Sequence, residues 1–277
     1  MQQGLAQKTR TITRSTSMQF NWWRISARRV ASAVSVVVVL AVWQLVTMLE
    51  IYPSFIVPPP IAVAEKFVIV IEDGRLWIHF RTTLISVLSG MFLGVSIGIT
   101  LGYLIARSKL LEDLLSPLVI AFQATPIISY APLLIIWFGS GLESKVIISA
   151  LIVFFPMLMN TMVGIRNVPQ SLHDLMRTSR ATWWQTFTKL EVPAALPVLM
   201  NGMRISATLA VIGAVVGEFV GAKAGLGFLI GVARNQFDTP LVFVAVFTLT
   251  AMALTLYIFV VVVEHRLLAW QRRVKRD

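Results

Sequence analysis

The sequence predicts an all-α polytopic membrane protein with about six spanning helices, on the basis of three observations. Hydrophobic residues make up 57% of the 277 residues and charged residues 13%, whereas about a quarter of the residues of a soluble domain are charged. Several apolar runs reach the roughly 20 residues that a spanning helix needs, and basic residues collect on one side of them. The six runs cover residues 30–49, 82–106, 114–138, 146–165, 195–219 and 241–263.

The distribution of Lys and Arg predicts the orientation of the chain in an inner (plasma) membrane. Six spans place both termini on one side, and that side also holds most of the 24 basic residues. Because cytoplasmic loops carry the excess of Lys and Arg, we expect basic cytoplasmic tails at residues 1–29 and 264–277 around a membrane domain of residues 30–263. Topology and contact with membrane lipid then explain the net charge of +11, and no nucleic acid is expected as a partner.

The first elements are expected to anchor the chain and to pack closely. The apolar run 30–49 exceeds a typical signal-peptide core and no small-residue cleavage site follows it, so we expect an uncleaved anchor rather than a removable signal. Residues 61–73 have the pattern of an amphipathic helix on the outer membrane surface. In span two, glycines recur every four residues on one face, which predicts close helix packing, within the subunit rather than between subunits. These glycines are Gly90, Gly94, Gly98 and Gly102.

The later spans contain prolines and polar residues that predict a pathway. Pro117, Pro126 and Pro132 predict a broken helix in span three that lines it. In span five, Arg204 is expected to extend to the membrane interface or to face the pathway, and Glu218 is a candidate gate. The glycine-rich residues 221–231 are expected to form a short hairpin. The residues assigned to the translocation pathway or its gate are Gln123, Pro126, Tyr130, Asn160, Arg204 and Glu218.

A long polar segment between two spans, residues 166–197, is predicted to form two short helices; we call it the coupling segment. Ser171 with Asp174, and Thr182 with Gln185, have the spacing of capping boxes, which begin helices. Apolar residues then recur at helical spacing, so each helix has one apolar face. Such a helix pair between two spans indicates a surface on which a partner protein docks.

The chain lacks the motifs that it would need to supply its own energy. It has no phosphate-binding loop ending in Gly-Lys-Ser or Gly-Lys-Thr, and it has no cysteine,. No catalytic residue, metal site or cofactor is therefore assigned, and the chain is not expected to be an enzyme. Paired intramembrane carboxylates of ion-coupled carriers are missing too, so we expect a partner ATPase to supply the energy. A stand-alone carrier or channel, and a scaffold without a pathway, are the alternatives.

The coupling segment and several outer motifs follow a known family pattern. Residues 174–182 read DLMRTSRAT and residues 192–197 read VPAALP; further matches are Trp137-Phe138-Gly139, Phe155-Pro156, the step from Gly202 to Arg204, Glu218 and Gly225-Leu226-Gly227. Over about residues 30–270 the chain resembles the permeases of ABC importers that work with a binding protein, whose cytoplasmic EAA loop the first of these motifs matches. The subgroup that it resembles transports nitrate, sulfonate, taurine and vitamin precursors such as riboflavin or the thiamine pyrimidine.

The resemblance implies a type I ABC importer permease fold and a set of partners. It implies a permease homodimer, two copies of a cytoplasmic ATPase that bind ATP and Mg, and an external substrate-binding protein. Within the subgroup the chain most resembles permeases for riboflavin or the thiamine pyrimidine, so the resemblance implies riboflavin or a related heterocycle as the solute, and aromatic side chains in the spans would suit stacking on a flat ring. Sulfonate, taurine and nitrate are alternatives. The residues implied to couple to the ATPase are Asp174, Leu175, Met176, Arg177, Arg180, Ala181, Thr182 and Trp184.

Two positions of the coupling segment depart from the family pattern. Asp174 replaces the usual Glu and is followed by the bulkier Leu175 and Met176. Arg180 stands where the family has the glycine that eases the bend between the two helices. We expect the Thr182 cap to set this bend instead, and Arg180 to face the ATPase and pair with an acid there.

Overall fold

The computed structural model describes residues 22–269, excluding the side chains of residues 22–30, 32, 33 and 127. Within this range the regular structure is helical, with a 3-10 turn at Ile127–Tyr130 and a π-helical turn at Phe187–Glu191. The expected tails lie largely outside the described residues. The α-helices are α1 (Trp22–Met48), α2 (Pro60–Glu72), α3 (Arg75–Arg107), α4 (Lys109–Ala124), α5 (Ala131–Phe138), α6 (Leu142–Arg166), α7 (Gln170–Thr178), α8 (Trp183–Thr186), α9 (Val192–Gly221), α10 (Leu226–Asn235) and α11 (Thr239–Leu267).

The chain divides into two compact units, residues 1–51 and 52–277. In the first unit the described part consists mainly of α1, with the apolar stretch Val34–Met48. Within the described residues of the second unit, four helical stretches are long and apolar enough to cross a membrane: α3, α6, α8 through α9, and α11. The first of the six spans predicted from sequence, residues 30–49, falls on the 27-residue helix α1, and the count of six spans stays a prediction.

Span three is a broken helix, as predicted. Helix α4 ends at Ala124, and the residues from Ile128 to Phe138 continue at an angle of 83° to it. Thr125 precedes Pro126 and has extended backbone, because proline disfavours helical backbone in the residue before it. Pro117 lies inside α4 without ending it. Counted as one span, this bent pair is the fifth in the described part of the chain.

Helix α6 packs between α3 and α9 by means of small residues. A Cβ added at Gly94 of α3 would lie 2.5 Å from the carbonyl oxygen of Ala150, and one at Gly213 of α9 would lie 2.6 Å from the Cα of Ser149. The Ser149 hydroxyl donates a hydrogen bond to the carbonyl oxygen of Ala210 in α9, 3.0 Å away. The predicted packing of the glycine face within the subunit is confirmed, and the backbones of three helices lie close together. In lipid, helices associate through such close packing because burial of apolar side chains gives no advantage there.

Replacing Gly94 by alanine is expected to lower the apparent melting temperature of the purified protein. The added methyl group meets backbone rather than a movable side chain, and overpacking of this kind costs about 1–3 kcal/mol. Gly231→Ala is the matched control, since nothing lies within 4 Å of a Cβ built there. Equal melting temperatures for the two variants in a fluorescence-detected unfolding assay would contradict the tight α3–α6 contact.

Two short helices pack near the start of α11. The buried side chains of α2 are Val63 and Val70, and Lys66 forms an ion pair with Asp238, with 2.7 Å between Nζ and Oδ2. Asp238 also caps α11 by accepting the N–H of Leu241 at 3.2 Å. The glycine-rich residues 221–231, expected to form a short hairpin, instead lead into a single helix, α10, which runs from Leu226 to Asn235.

Candidate functional site

The coupling segment exposes large apolar side chains on both of its short helices. Trp183 and Trp184 of α8 are 57% and 60% exposed, and Leu175 of α7 is 60% exposed. The ring of Trp183 stacks on that of Phe187, with centroids 5.6 Å apart and planes 9° apart. An exposed apolar cluster on an otherwise polar segment marks a protein contact site. This surface has the character that the sequence predicts for docking.

Helix α7 begins without the predicted side-chain cap. Its N-cap is Pro169, which makes no side-chain hydrogen bond, so the capping box predicted for Ser171 and Asp174 is wrong. Proline starts the helix instead, because its ring holds φ near the helical value. The carboxylate of Asp174 accepts a hydrogen bond from Gln170 at 3.2 Å and lies 4.0 Å from Arg177.

Arg180 ends α7 in the left-handed conformation, with a φ of 53°. Its N–H donates to the carbonyl of Arg177, and the N–H of Ala181 donates to the carbonyl of Met176, both at 2.9 Å. These two bonds form a Schellman cap, in which glycine is the usual residue. The expectation that the Thr182 cap alone sets the bend in place of the glycine is therefore corrected: Arg180 itself adopts the left-handed turn, and the Thr182 cap follows it.

Thr182 begins α8 with the predicted capping box. The N–H of Gln185 donates to the Thr182 hydroxyl at 3.3 Å, and the Thr182 N–H donates to the Gln185 side-chain oxygen at 2.8 Å. This prediction is confirmed. The Schellman cap and the capping box together determine the angle between α7 and α8, and so where Trp184 points relative to Met176.

Arg180→Gly is expected to stabilise the chain by up to about 1 kcal/mol, because glycine adopts left-handed backbone without the cost that a Cβ imposes. If Arg180 pairs with an acid of the ATPase, the same variant also lowers the stimulation of ATP hydrolysis. Arg180→Glu should then weaken assembly, while Lys109→Glu, a charge reversal outside the coupling segment, should not. Unchanged transport in Arg180→Gly, or intact assembly in Arg180→Glu, would refute the pairing.

Glu191 is a buried polar centre that the sequence analysis missed. Its carboxylate, 0% exposed, accepts a hydrogen bond from the Tyr103 hydroxyl at 2.9 Å and lies 3.1 Å from Arg107 of α3. The Nε2 atom of His173 in α7 is 3.2 Å from the same carboxylate. An acidic residue between the apolar Leu190 and Val192, just before Pro193, was the signal available in the sequence.

An apolar cavity lies beside the break in span three. Its volume is about 360 Å³, and Tyr130 is the one predicted pathway residue among its lining side chains. Because its four rings belong to four different helical elements, a flat aromatic molecule would find stacking partners on several sides. The lining residues are Phe122, Tyr130, Leu133, Leu134, Trp137, Leu151 and Phe155.

The other pathway predictions lie apart from this cavity. Gln123 is exposed near the end of α4, and Pro126 precedes the 3-10 turn. The Asn160 amide donates to the carbonyl of Pro156 at 2.8 Å, a bond within its own helix. Arg204 forms an ion pair with Glu264 of α11, a partner that the sequence analysis did not assign. The structure therefore distributes the predicted pathway residues along the membrane domain instead of gathering them in one site.

Glu218 is buried at the far end of α9 and holds the chain that follows it. The Thr83 hydroxyl donates to its carboxylate at 2.8 Å, and the Gly227 N–H donates at 2.7 Å. Thr83 also accepts the N–H of Leu226 at 2.8 Å. Gly225 has a φ of 126°, and a Cβ there would overlap the Glu218 carboxylate. These contacts explain the motif Gly225-Leu226-Gly227 structurally; a gating role for Glu218 stays a prediction.

The helical membrane fold, the exposed pair of short helices and the broken span fit a membrane transport protein. Residues 94–269 match the family described as binding-protein-dependent transport system inner membrane component, and the chain belongs to this family. It is a permease subunit of an ABC importer, a multi-pass inner-membrane protein and not an enzyme. Family membership implies an ATPase and a substrate-binding protein as partners.

Relatives of known name span nearly the whole chain. It is 43% identical, over 96% of its length and 99% of the relative, to the riboflavin transport system permease protein RibX of Chloroflexus aurantiacus. It is 33% identical, over 84% of its length and 93% of the relative, to the formylaminopyrimidine transport permease protein ThiX of Halalkalibacterium halodurans. A solved structure of the MetNI methionine ABC transporter superimposes with a TM-score of 0.57 at 21% identity, over 70% of this chain and 94% of that one. This likeness shows the type I importer permease fold.

Proposed function

We propose that this permease carries riboflavin or a closely related flat vitamin heterocycle into the cell. The observation that carries the proposal is the 43% identity to the riboflavin permease over 96% of the chain. The cavity of about 360 Å³ beside the break in span three supports it, since Phe122, Tyr130, Trp137 and Phe155 line it. Aromatic rings stack on flat heterocycles, whereas the small anions of the alternative solutes need hydrogen-bond donors or positive charge.

The working assembly in this proposal is a permease homodimer with two ATPase subunits and an external binding protein. The face formed by α4 and α5 is apolar and exposed; Ile136 is 75% and Trp137 is 69% exposed. A second copy against this face would cover Trp137 and close the cavity from lipid. ATP and Mg would bind to the ATPase, which docks on the coupling segment and thereby places this segment and both termini in the cytoplasm.

Uptake by the reconstituted importer tests the proposal. Permease, ATPase and binding protein are placed in proteoliposomes, and uptake of riboflavin, taurine, an aliphatic sulfonate and nitrate is measured separately. We expect riboflavin to accumulate only with all three components and hydrolysable ATP. Accumulation of taurine, sulfonate or nitrate instead would overturn the assignment of riboflavin as the solute, but the protein would still be the permease of an ATP-driven importer. Riboflavin uptake by the permease alone would indicate a stand-alone carrier.

A further inference from the structure

The buried carboxylate of Glu191 joins the end of α3, helix α7 and the start of α9. Tyr103 and Arg107 belong to the last turns of α3, and His173 belongs to α7. Glu191 itself is the residue directly before α9. Burial of a carboxylate is costly unless charge and hydrogen bonds compensate it. The three polar partners of the Glu191 carboxylate therefore strongly favour the arrangement in which all three contacts are made.

Glu191 also ends the π-helical turn Phe187–Glu191. A π-turn inserts one residue into a helix, and one residue corresponds to about 100° of rotation at 3.6 residues per turn. The turn therefore determines how the face of α8 that carries Trp184 is oriented relative to the membrane faces of α9. Single π-turns within helices are frequent at functional sites. Glu191 is the last residue of the π-turn, and α9 begins at the next residue. The partners of its carboxylate therefore fix the orientation of α8 relative to α9.

The contact of His173 ties α7 to the same centre. The Nδ1 atom of its ring is buried and has no hydrogen-bond partner among the described residues, so the hydrogen bond through Nε2 to Glu191 is its polar anchor. Arg107 supplies the opposite charge from α3 at 3.1 Å. A displacement of α7 must either break the His173 contact or carry Glu191, and with it the start of α9 and the end of α3.

We propose that Glu191 is the positioning residue through which movement of the coupling segment reaches α3 and α9. This inference rests on the proposed function, in which the ATPase docks on the coupling segment. ATP binding moves α7 and α8, and the contacts of Glu191 make α3 and α9 move with them as one body. Without the carboxylate, the ATPase still docks on the exposed tryptophans, but its movement is absorbed at the π-turn.

The test uses the whole permease–ATPase complex in nanodiscs, and its readout does not depend on the solute. Because the chain contains no cysteine, Ser129→Cys beside the cavity provides a single site for a membrane-impermeant maleimide. The labelling rate is compared between the nucleotide-free and the ATP–vanadate-trapped complex. We expect at least a fivefold difference in the parent protein, and less than a twofold difference after Glu191→Gln, with the ATPase still co-purifying. Asp113→Asn, an exposed acid of α4, is the matched control and should behave as the parent.

Two further variants sharpen the test, and the first of them keeps it decisive if Glu191→Gln fails to assemble. Tyr103→Phe removes one hydroxyl and should reduce the labelling difference partially. Arg107→Met combined with Glu191→Gln should reduce the labelling difference no further than Glu191→Gln alone, because the two residues act through the same contact. If Glu191→Gln or Tyr103→Phe shows the same labelling difference as the parent protein, the role of Glu191 is overturned and the proposed function is not affected. An ATPase that does not bind the parent permease, or a parent without any nucleotide effect, overturns the proposed function as well.

Discussion

Replacing Trp183 and Trp184 together by alanine is expected to weaken binding of the ATPase to the permease by about 30-fold or more. Both indoles are more than half exposed, and buried tryptophans at the centre of an interface commonly contribute 2 kcal/mol or more, which corresponds to such a factor. The affinity is measured with the permease in nanodiscs and the purified ATPase in solution. Because the two helix caps do not involve the indoles, the fold of the coupling segment should persist.

Trp77→Ala is the matched control for this loss. Trp77 is 66% exposed and also stacks on a neighbouring ring, that of Phe80. It lies in the first turn of α3, however, whereas the residues of α3 that contact Glu191 lie in its last turns. It should leave ATPase binding unchanged. Equal affinity of the double tryptophan variant and the parent protein would show that the exposed face of α8 is not the docking surface.

Arg204→Met is expected to destabilise the permease by about 3 kcal/mol. The guanidinium forms an ion pair with Glu264, whose side chain is 11% exposed, and removing one partner leaves the other charge buried and unpaired. The double variant Arg204→Met with Glu264→Leu should recover most of the loss, since it removes both charges. The measurement is the unfolding midpoint in detergent for the parent, both single variants and the double variant.

The recovery in the double variant distinguishes two roles for Arg204. A structural pair with Glu264 predicts normal ATP-driven uptake in the double variant. A residue of the translocation pathway, as the sequence predicts, requires uptake to stay impaired although stability is restored. Additive destabilisation by the two substitutions would show that the pair contributes no coupling energy.

Interactions between residues a few positions apart can be predicted from the sequence. The capping box of Thr182 and Gln185 involves residues three positions apart, so spacing is sufficient to find it. The face of glycines on α3 follows in the same way from helical periodicity. The cap predicted at Ser171 failed because Pro169, two positions earlier, already starts the helix. Local competition between two start signals cannot be decided by the spacing of one of them.

The sequence by itself determined that this protein is a multi-pass membrane permease with a separate motor. Hydrophobic length, the side that carries the basic residues and the pattern of the coupling segment are properties of contiguous residues, and each has a direct physical meaning in a bilayer. The family match agrees with the membrane class, and the side of the membrane on which the basic residues lie stays a prediction. None of these properties depends on which helices touch.

Only the tertiary structure decided which buried polar groups meet. Glu191 meets a tyrosine 88 positions away, and Glu218 meets a threonine 135 positions away. The conformation of Arg180 likewise became visible only in the backbone, since its side chain predicts no left-handed turn. A buried charge must find a partner, but helix packing, and not the local sequence, determines which residue stands within reach.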